Sequence, residues 1–253
     1  MCTPERPFVL SIAGMDPSAG AGLLADVKTF EALNCYGLAV NTANTVQNDE
    51  IFKSCQWLPE ALIFQQLEIL LNRFQIEVVK IGIIEDLLIL NKVIDELLIR
   101  NKNIRIIWDP VLKSSSGYAL QDPQELQEHL DEVLEKVFLV TPNFQEITMF
   151  YREFSLEEKI DGIRVKTNLY LKGGHRTEAP GLDELFTTSG DYFSLEPGRK
   201  DCTEKHGSGC ILSSALAAHL ALDYSLREAA QKAKFYTEGI LASNTTLLGY
   251  HHL

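Results

Sequence analysis

The residues His206-Gly207-Ser208-Gly209-Cys210 run straight into Ile211-Leu212-Ser213-Ser214-Ala215-Leu216-Ala217-Ala218. A glycine-bearing turn that feeds a helix leaves backbone N–H groups unpaired and points the positive end of the helix outward. The chemistry it offers is anion binding, phosphate above all. Cys210 falls on the first helical turn, where the same field is expected to lower a thiol pKa. A plain helix cap would account for this segment taken alone, because glycine-rich turns are common punctuation.

Further polar groups recur wherever an apolar run stops. Gly14-Met15-Asp16-Pro17-Ser18-Ala19-Gly20-Ala21-Gly22 follows the first run, Thr45-Val46-Gln47-Asn48 the second, and Lys80-Ile81-Gly82 closes the third. Asp109-Pro110-Val111, Thr141-Pro142-Asn143-Phe144-Gln145-Glu146 and Lys172-Gly173-Gly174-His175 close the next three. The first loop matches neither a dinucleotide fingerprint nor a P-loop. Asp, Asn, Gly and Pro favour turns and caps in any case. Their recurrence in series is what points to a ligand site, since open α/β sheets bind ligands beyond the carboxyl ends of their strands.

The elements that must position these groups alternate. Apolar runs at Phe8–Ala13, Leu38–Val46, Val78–Ile84, Ile104–Trp108, Phe138–Thr141 and Thr167–Lys172 read as strands. Helical spacing appears in Leu23, Val27, Phe30 and Leu33, then in Pro59–Phe74, Leu87–Leu98, Leu126–Val133, Ile211–Leu222 and Leu226–Leu241. Asp183–Leu195 reads as a hairpin around Ser189-Gly190, and Tyr151–Arg164 as a weaker polar stretch. Strands alternating with amphipathic helices imply an α/β fold, a mostly parallel sheet covered on both faces. No repeat or linker divides the 253 residues, so residues 1–253 are expected to form one domain.

A formal net charge of -12 argues against a nucleic-acid partner, whose phosphates call for a basic surface. Cys2, Cys35, Cys55, Cys202 and Cys210 form an odd set without a short Cys-x-x-Cys pair, which suits a reducing cytoplasm better than a disulfide framework or a zinc cluster. No signal-peptide pattern and no uncharged apolar stretch of roughly 18 residues occurs, so neither export nor a membrane partner is expected.

From about Phe8 to Asn244 the chain resembles the hydroxymethylpyrimidine and phosphomethylpyrimidine kinases of thiamine biosynthesis, within the ribokinase-like superfamily. The resemblance rests on Ala13–Gly22 followed by Ala25-Asp26-Val27-Lys28-Thr29-Phe30, on Thr141-Pro142-Asn143, on Lys172-Gly173-Gly174-His175 and on His206–Cys210, in that order. It implies a ribokinase-like three-layer α/β/α domain, usually a homodimer, that uses ATP and Mg²⁺ to phosphorylate the hydroxymethylpyrimidine and then its monophosphate. By the same resemblance Gly14, Asp26 and Gln47 hold the aminopyrimidine, and Cys210 stands near the acceptor hydroxyl. Gly207, Ser208 and Gly209 form the anion hole, Lys172 contacts ATP phosphates, Asn143 and Glu146 organise metal and phosphate, and Asp109 lies beside them. Phosphoryl transfer asks mainly for positioning and charge neutralisation, which such a set supplies.

Four departures from the family pattern stand out. Met15 replaces a small polar residue, Ala19 a loop glycine, and Ile83 a methionine after Lys80-Ile81-Gly82, while Asp49-Glu50 place two carboxylates where the family generally continues with a small or hydroxyl residue and a glycine. Ala19 matters if its backbone needs a positive φ. Asp49 and Glu50 would repel the phosphate of the second substrate. The alternatives are a pyridoxine or pyridoxal kinase, whose substrate also carries a hydroxymethyl group, and a non-catalytic binder on the same scaffold.

Overall fold

The computed structural model describes residues 5–112, 120, 123–174, 176 and 178–251. Cys2 and His175 therefore lie outside the described residues.

In chain order the elements are β1 (Phe8–Met15), α1 (Gly22–Ala32), β2 (Tyr36–Gln47), β3 (Phe52–Trp57), α2 (Glu60–Leu71), β4 (Val78–Ile81), α3 (Leu87–Arg100), β5 (Arg105–Trp108), α4 (Pro123–Leu134), β6 (Leu139–Val140), α5 (Phe144–Met149), α6 (Leu156–Arg164), β7 (Asn168–Leu171), β8 (Asp183–Phe186), β9 (Tyr192–Leu195), α7 (Ser208–Ala221) and α8 (Leu226–Leu241). The strands form one nine-stranded sheet in the order β3-β2-β1-β4-β5-β6-β7-β8-β9. Pairing is parallel from β2 through β7, with antiparallel β3 at one edge and β8 and β9 at the other. The chain leaves β1 toward β2 and returns to β4 on the opposite side. That reversal opens a crevice at the carboxyl ends of β1 and β4.

Two apolar cores sandwich the sheet. Helices α2 to α6 cover one face through Ile63, Leu67, Leu90, Val93, Leu130, Ile147 and Ile163. Helices α1, α7 and α8 cover the other through Phe30, Ile211, Leu216, Tyr236 and Ile240. This is the expected three-layer α/β/α arrangement, and the Asp183–Leu195 hairpin is present as β8 and β9. The sequence patterns missed β3, α5 and α6, the last lying inside the stretch read as weak and polar.

Side-chain alternation along the strands selects the residues that face α7. On β1, Leu10 and Ile12 enter the first core and Val9 the second, so Ser11 shares the face of Val9. On β4, Val79 and Ile81 enter the first core and Val78 the second, which turns Lys80 toward α7. The same parity puts Asp109 with Ile107, Thr141 with Leu139 and Lys172 with Tyr170, all on the side of α7. A polar layer thus lies under one apolar helix at the strand ends.

Ala19 does adopt a left-handed backbone, with φ 56°. That conformation brings an alanine Cβ against the following carbonyl, at a cost of about 1 kcal/mol. Ala19→Gly is accordingly expected to stabilise the protein by about 1 kcal/mol, seen as a higher denaturant midpoint at unchanged slope. A lower midpoint would show that chain entropy outweighs the local strain at this turn.

Candidate active site

The turn Lys205–Gly207 and the loop after β1 are locked together by Asp16. Its buried carboxylate accepts from Ser18 N at 2.8 Å, Ser18 Oγ at 2.8 and 2.9 Å, Gly20 N at 3.1 Å and Ala21 N at 2.9 Å. His206 Nε2 lies 2.9 Å from its Oδ2. Burial alone would raise the Asp16 pKa, but His206, Ser18 and Ala21 outweigh it and bring the carboxyl down to about 2. Gly207 is the N-cap of α7, left-handed at φ 73°. A Cβ on it would lie 2.1 Å from the Gly20 carbonyl oxygen, so only glycine lets the two loops touch.

Behind that turn, α7 straddles two buried ion pairs. Lys172 Nζ donates to Asp109 Oδ1 at 2.7 Å and lies 3.7 Å from Glu146 Oε2. Asp109 also accepts from Ser213 Oγ at 3.0 Å and Thr141 Oγ1 at 3.2 Å. Lys80 Nζ donates to both Asp26 oxygens, at 3.0 and 2.8 Å, and Asp26 accepts further from Ser11 Oγ at 2.5 Å and Ser214 Oγ at 2.6 Å. Both lysines are raised above the ordinary range: burial works against the charged forms, but the facing carboxylates prevail.

Two sequence expectations change in this light. The resemblance implies that Asp26 holds the aminopyrimidine, but it is fully buried and both its oxygens are committed to Lys80, Ser11 and Ser214. Cys210 was expected to carry a lowered pKa, yet burial pushes its thiol up to about 11. Lys80 and a hydrogen bond from Gly22 N–H oppose that rise, while Asp26 and Asp109 add to it. Desolvation and two carboxylates therefore outweigh the field of the helix.

Asn143 and Glu146 form a capping box at the start of α5. Asn143 Oδ1 accepts from Gln145 N and Glu146 N at 2.8 Å each, and Glu146 Oε2 accepts from Asn143 N at 2.7 Å. Burial, with Asp109 nearby, raises the Glu146 carboxyl to about 7 against the pull of Lys172. Among the described residues no cluster of three or more His, Cys, Asp or Glu could hold a metal by itself. Mg²⁺ needs only one or two carboxylates when it keeps waters and substrate phosphates. Glu146 fits that modest demand, since no hydrogen bond among the described residues falls on its Oε1. Asp109 does not, because it is fully buried among Lys172, Thr141 and Ser213.

On the other side of the crevice, Gln47 is half-buried at the end of β2 and donates from Nε2 to Thr45 Oγ1 at 2.8 Å. Gly14 lies under Ile83, whose Cδ1 would be 2.4 Å from a Cβ built there. Gly209 abuts Lys172, with 3.3 Å between such a Cβ and Nζ. The structure thus brings Gly207, Ser208, Gly209, Cys210, Asp26, Asp109 and Lys172 around the first turns of α7, with Asn143 and Glu146 adjoining Lys172.

Sequence reasoning left out Asp16, Lys80, Ser213 and Ser214 as participants. Asp16 had a local signal, an Asp followed by a Ser at the second position, the pattern of a side-chain-closed turn. Lys80 stands among the strand-end polar groups, but its role has no local signal, because its partner is 54 positions away.

The model of the family described as phosphomethylpyrimidine kinase matches residues 16–253. The chain belongs to that family. It is 34% identical over 252 residues to the hydroxymethylpyrimidine/phosphomethylpyrimidine kinase of Aquifex aeolicus, covering 96% of this chain and 98% of that one. Of two longer relatives, named as bifunctional thiamine biosynthesis proteins, the chain spans 45% and 55% of the length. Among solved structures, the phosphomethylpyrimidine kinase of Clostridium difficile 630 superposes with a TM-score of 0.74 at 28% identity, covering 92% of this chain and 98% of that one. The pyridoxal kinase of Staphylococcus aureus in complex with pyridoxal gives a TM-score of 0.81 at 25% identity, covering 94% and 89%. Its ribokinase-like fold is shared with both.

Proposed function

We propose that this protein transfers the γ-phosphoryl group of ATP to 4-amino-5-hydroxymethyl-2-methylpyrimidine, and then to the monophosphate to give the diphosphate, in thiamine biosynthesis. The observation that carries the reading is Lys172 set against Gly209 at the mouth of α7, one residue from Cys210. A phosphate cradle and an acceptor-side thiol thus share one helical turn. Relatives named for this activity over nearly the full chain support the substrate.

In this reading Gly207, Ser208 and Gly209 supply N–H groups to the transferring phosphoryl, and Lys172 neutralises charge on its equatorial oxygens. Asp109 orients Lys172. Glu146 and Asn143 would hold Mg²⁺, which would supply further neutralisation of phosphate charge. Gln47 and the backbone at Gly14 hold the aminopyrimidine, since an amide matches both the donor and the acceptor of such a ring edge. Cys210, held as a neutral thiol by its surroundings, orients the acceptor oxygen more readily than it takes its proton. A loose transition state asks for little prior deprotonation. A single kinase domain over residues 1–253, a homodimer and a cytoplasmic setting complete the proposal.

Pyridoxal is the second reading, favoured by the close superposition on a pyridoxal-bound kinase. Steady-state assays with ATP and each acceptor decide between them. The expected order of kcat/KM is hydroxymethylpyrimidine first, its monophosphate second and pyridoxal last. The monophosphate is placed second because Asp49 and Glu50 sit at the turn between β2 and β3, just beyond Gln47. A higher value for pyridoxal would overturn the substrate, and no activity on the monophosphate would reduce the enzyme to one step.

A further inference from the structure

Helix α7 carries two copies of the same arrangement, offset by one residue. Gly209 and Ser213 stand four positions apart and so share a helix face. Gly209 abuts Lys172 Nζ, and Ser213 Oγ is 3.0 Å from the Asp109 carboxylate that Lys172 binds. Cys210 and Ser214 share the next face. Ser214 Oγ is 2.6 Å from Asp26 Oδ1, and Asp26 is bound at 2.8 Å by Lys80, a fully buried lysine that the transfer chemistry above does not use. The first pair serves the phosphate side. The second lies one turn below the thiol.

We propose that Lys80 is a positioning residue for Cys210: paired with Asp26, it fixes that face of α7 through Ser214 and supplies the positive charge that offsets the carboxylates around the thiol. The charged groups that face Cys210 are Lys80 from β4, Asp26 from α1, Asp109 after β5 and Lys172 after β7, and Gly22 N–H at the start of α1 donates to it. Without Lys80 the balance there becomes two carboxylates against the single ammonium of Lys172. Gly82 leaves room beside this ammonium, since a Cβ there would lie 3.1 Å from Lys80 Nζ. The role in turnover rests on the reading that Cys210 meets the acceptor, whereas the effect on the thiol does not.

The test follows the Cys210 peptide by mass spectrometry as iodoacetamide alkylates the full-length protein from pH 6 to 11. Lys80→Met is expected to shift the whole profile toward higher pH and so slow alkylation at about pH 9 by roughly tenfold, the effect of a shift of about one unit. A purely structural lysine gives the opposite sign, because loosening α7 exposes the thiol and draws the midpoint down toward that of a free cysteine, about 8.5. If Lys80→Met does not fold, Lys80→Met combined with Asp26→Asn leaves no unpaired buried charge. It should keep the midpoint at or above that of the unmodified protein, and a lower midpoint overturns the proposal. In kinetics, Lys80→Met should raise the acceptor KM or lower kcat while the ATP KM holds. Absence of kinase activity in the unmodified protein would sink the functional reading and leave the thiol profile to judge Lys80.

Discussion

Lys172→Met is expected to lower kcat/KM at least a hundredfold and to destabilise the fold, two effects that can be read separately. A hundredfold loss corresponds to about 2.7 kcal/mol of transition-state stabilisation, in the range that removing one preorganised charge-stabilising group costs. The stability loss has another origin. Asp109 is fully buried and takes its shortest hydrogen bond, 2.7 Å, from Lys172, so removing the lysine strands a carboxylate at a cost of about 3–5 kcal/mol. Adding Asp109→Asn should recover most of the stability, since a neutral amide is cheaper to bury, but not the activity. Near-normal turnover by folded Lys172→Met would make this lysine a strut of the sheet and remove it from phosphate binding.

Gly207→Ala is expected to be as damaging from a single methyl group. The new Cβ would lie 2.1 Å from Gly20 O and 2.7 Å from Ala21 Cα, both backbone atoms that no rotamer change can move aside. The left-handed backbone adds about 1 kcal/mol. Together they force the loop after β1 away from the first turn of α7, which breaks the Asp16–His206 contact and displaces the N–H groups that would hold phosphate. A loss of at least about a hundredfold in kcat/KM is expected, equivalent to a reacting group misplaced by about 1 Å. Gly209→Ala is the internal comparison. Its Cβ meets only the end of the Lys172 side chain at 3.3 Å, so a several-fold loss is expected there. Equal losses in the two variants would show that the cost does not lie in the fit of the two loops.

What the sequence carried well is what has a local cause. Apolar runs of four to nine residues bounded by turn residues marked the parallel strands, and their fixed parity carried Lys80, Asp109 and Lys172 to one side. Edge strand β3 was not legible, because Lys53, Ser54 and Gln56 are exposed on it and interrupt the apolar run. Helix α5 spans six residues, Phe144–Met149, too few for a helical period to declare itself. The sequence places polar residues at the strand ends, but what each faces is a long-range fact. The carboxylate of Asp26 reads as a ligand for a donor until Lys80, Ser11 and Ser214 are seen to hold it. Cys210 reads as an activated thiol until the groups around it are known, because a helix terminus is visible in sequence and desolvation by distant segments is not.

The contact between Asp16 and His206 spans 190 positions, and that between Asp26 and Ser214 spans 188. A chain built from its N-terminus forms β1, α1, β2, α2 and β4 long before α7 exists to cover Ser11, Asp26 and Lys80. Until about residue 214 has emerged, this half of the sheet carries an uncovered ion pair and the bare apolar face of α1. Long-range closures of this kind come late and slow folding, because the entropy of closing the loop is lost before the contact forms. Assembly of the turn that opens α7 is thus tied to completion of the fold. Unfinished chains cannot bind the substrate and so gain no stability from it, and the interval before α7 docks is when they are most exposed to aggregation and most dependent on chaperones.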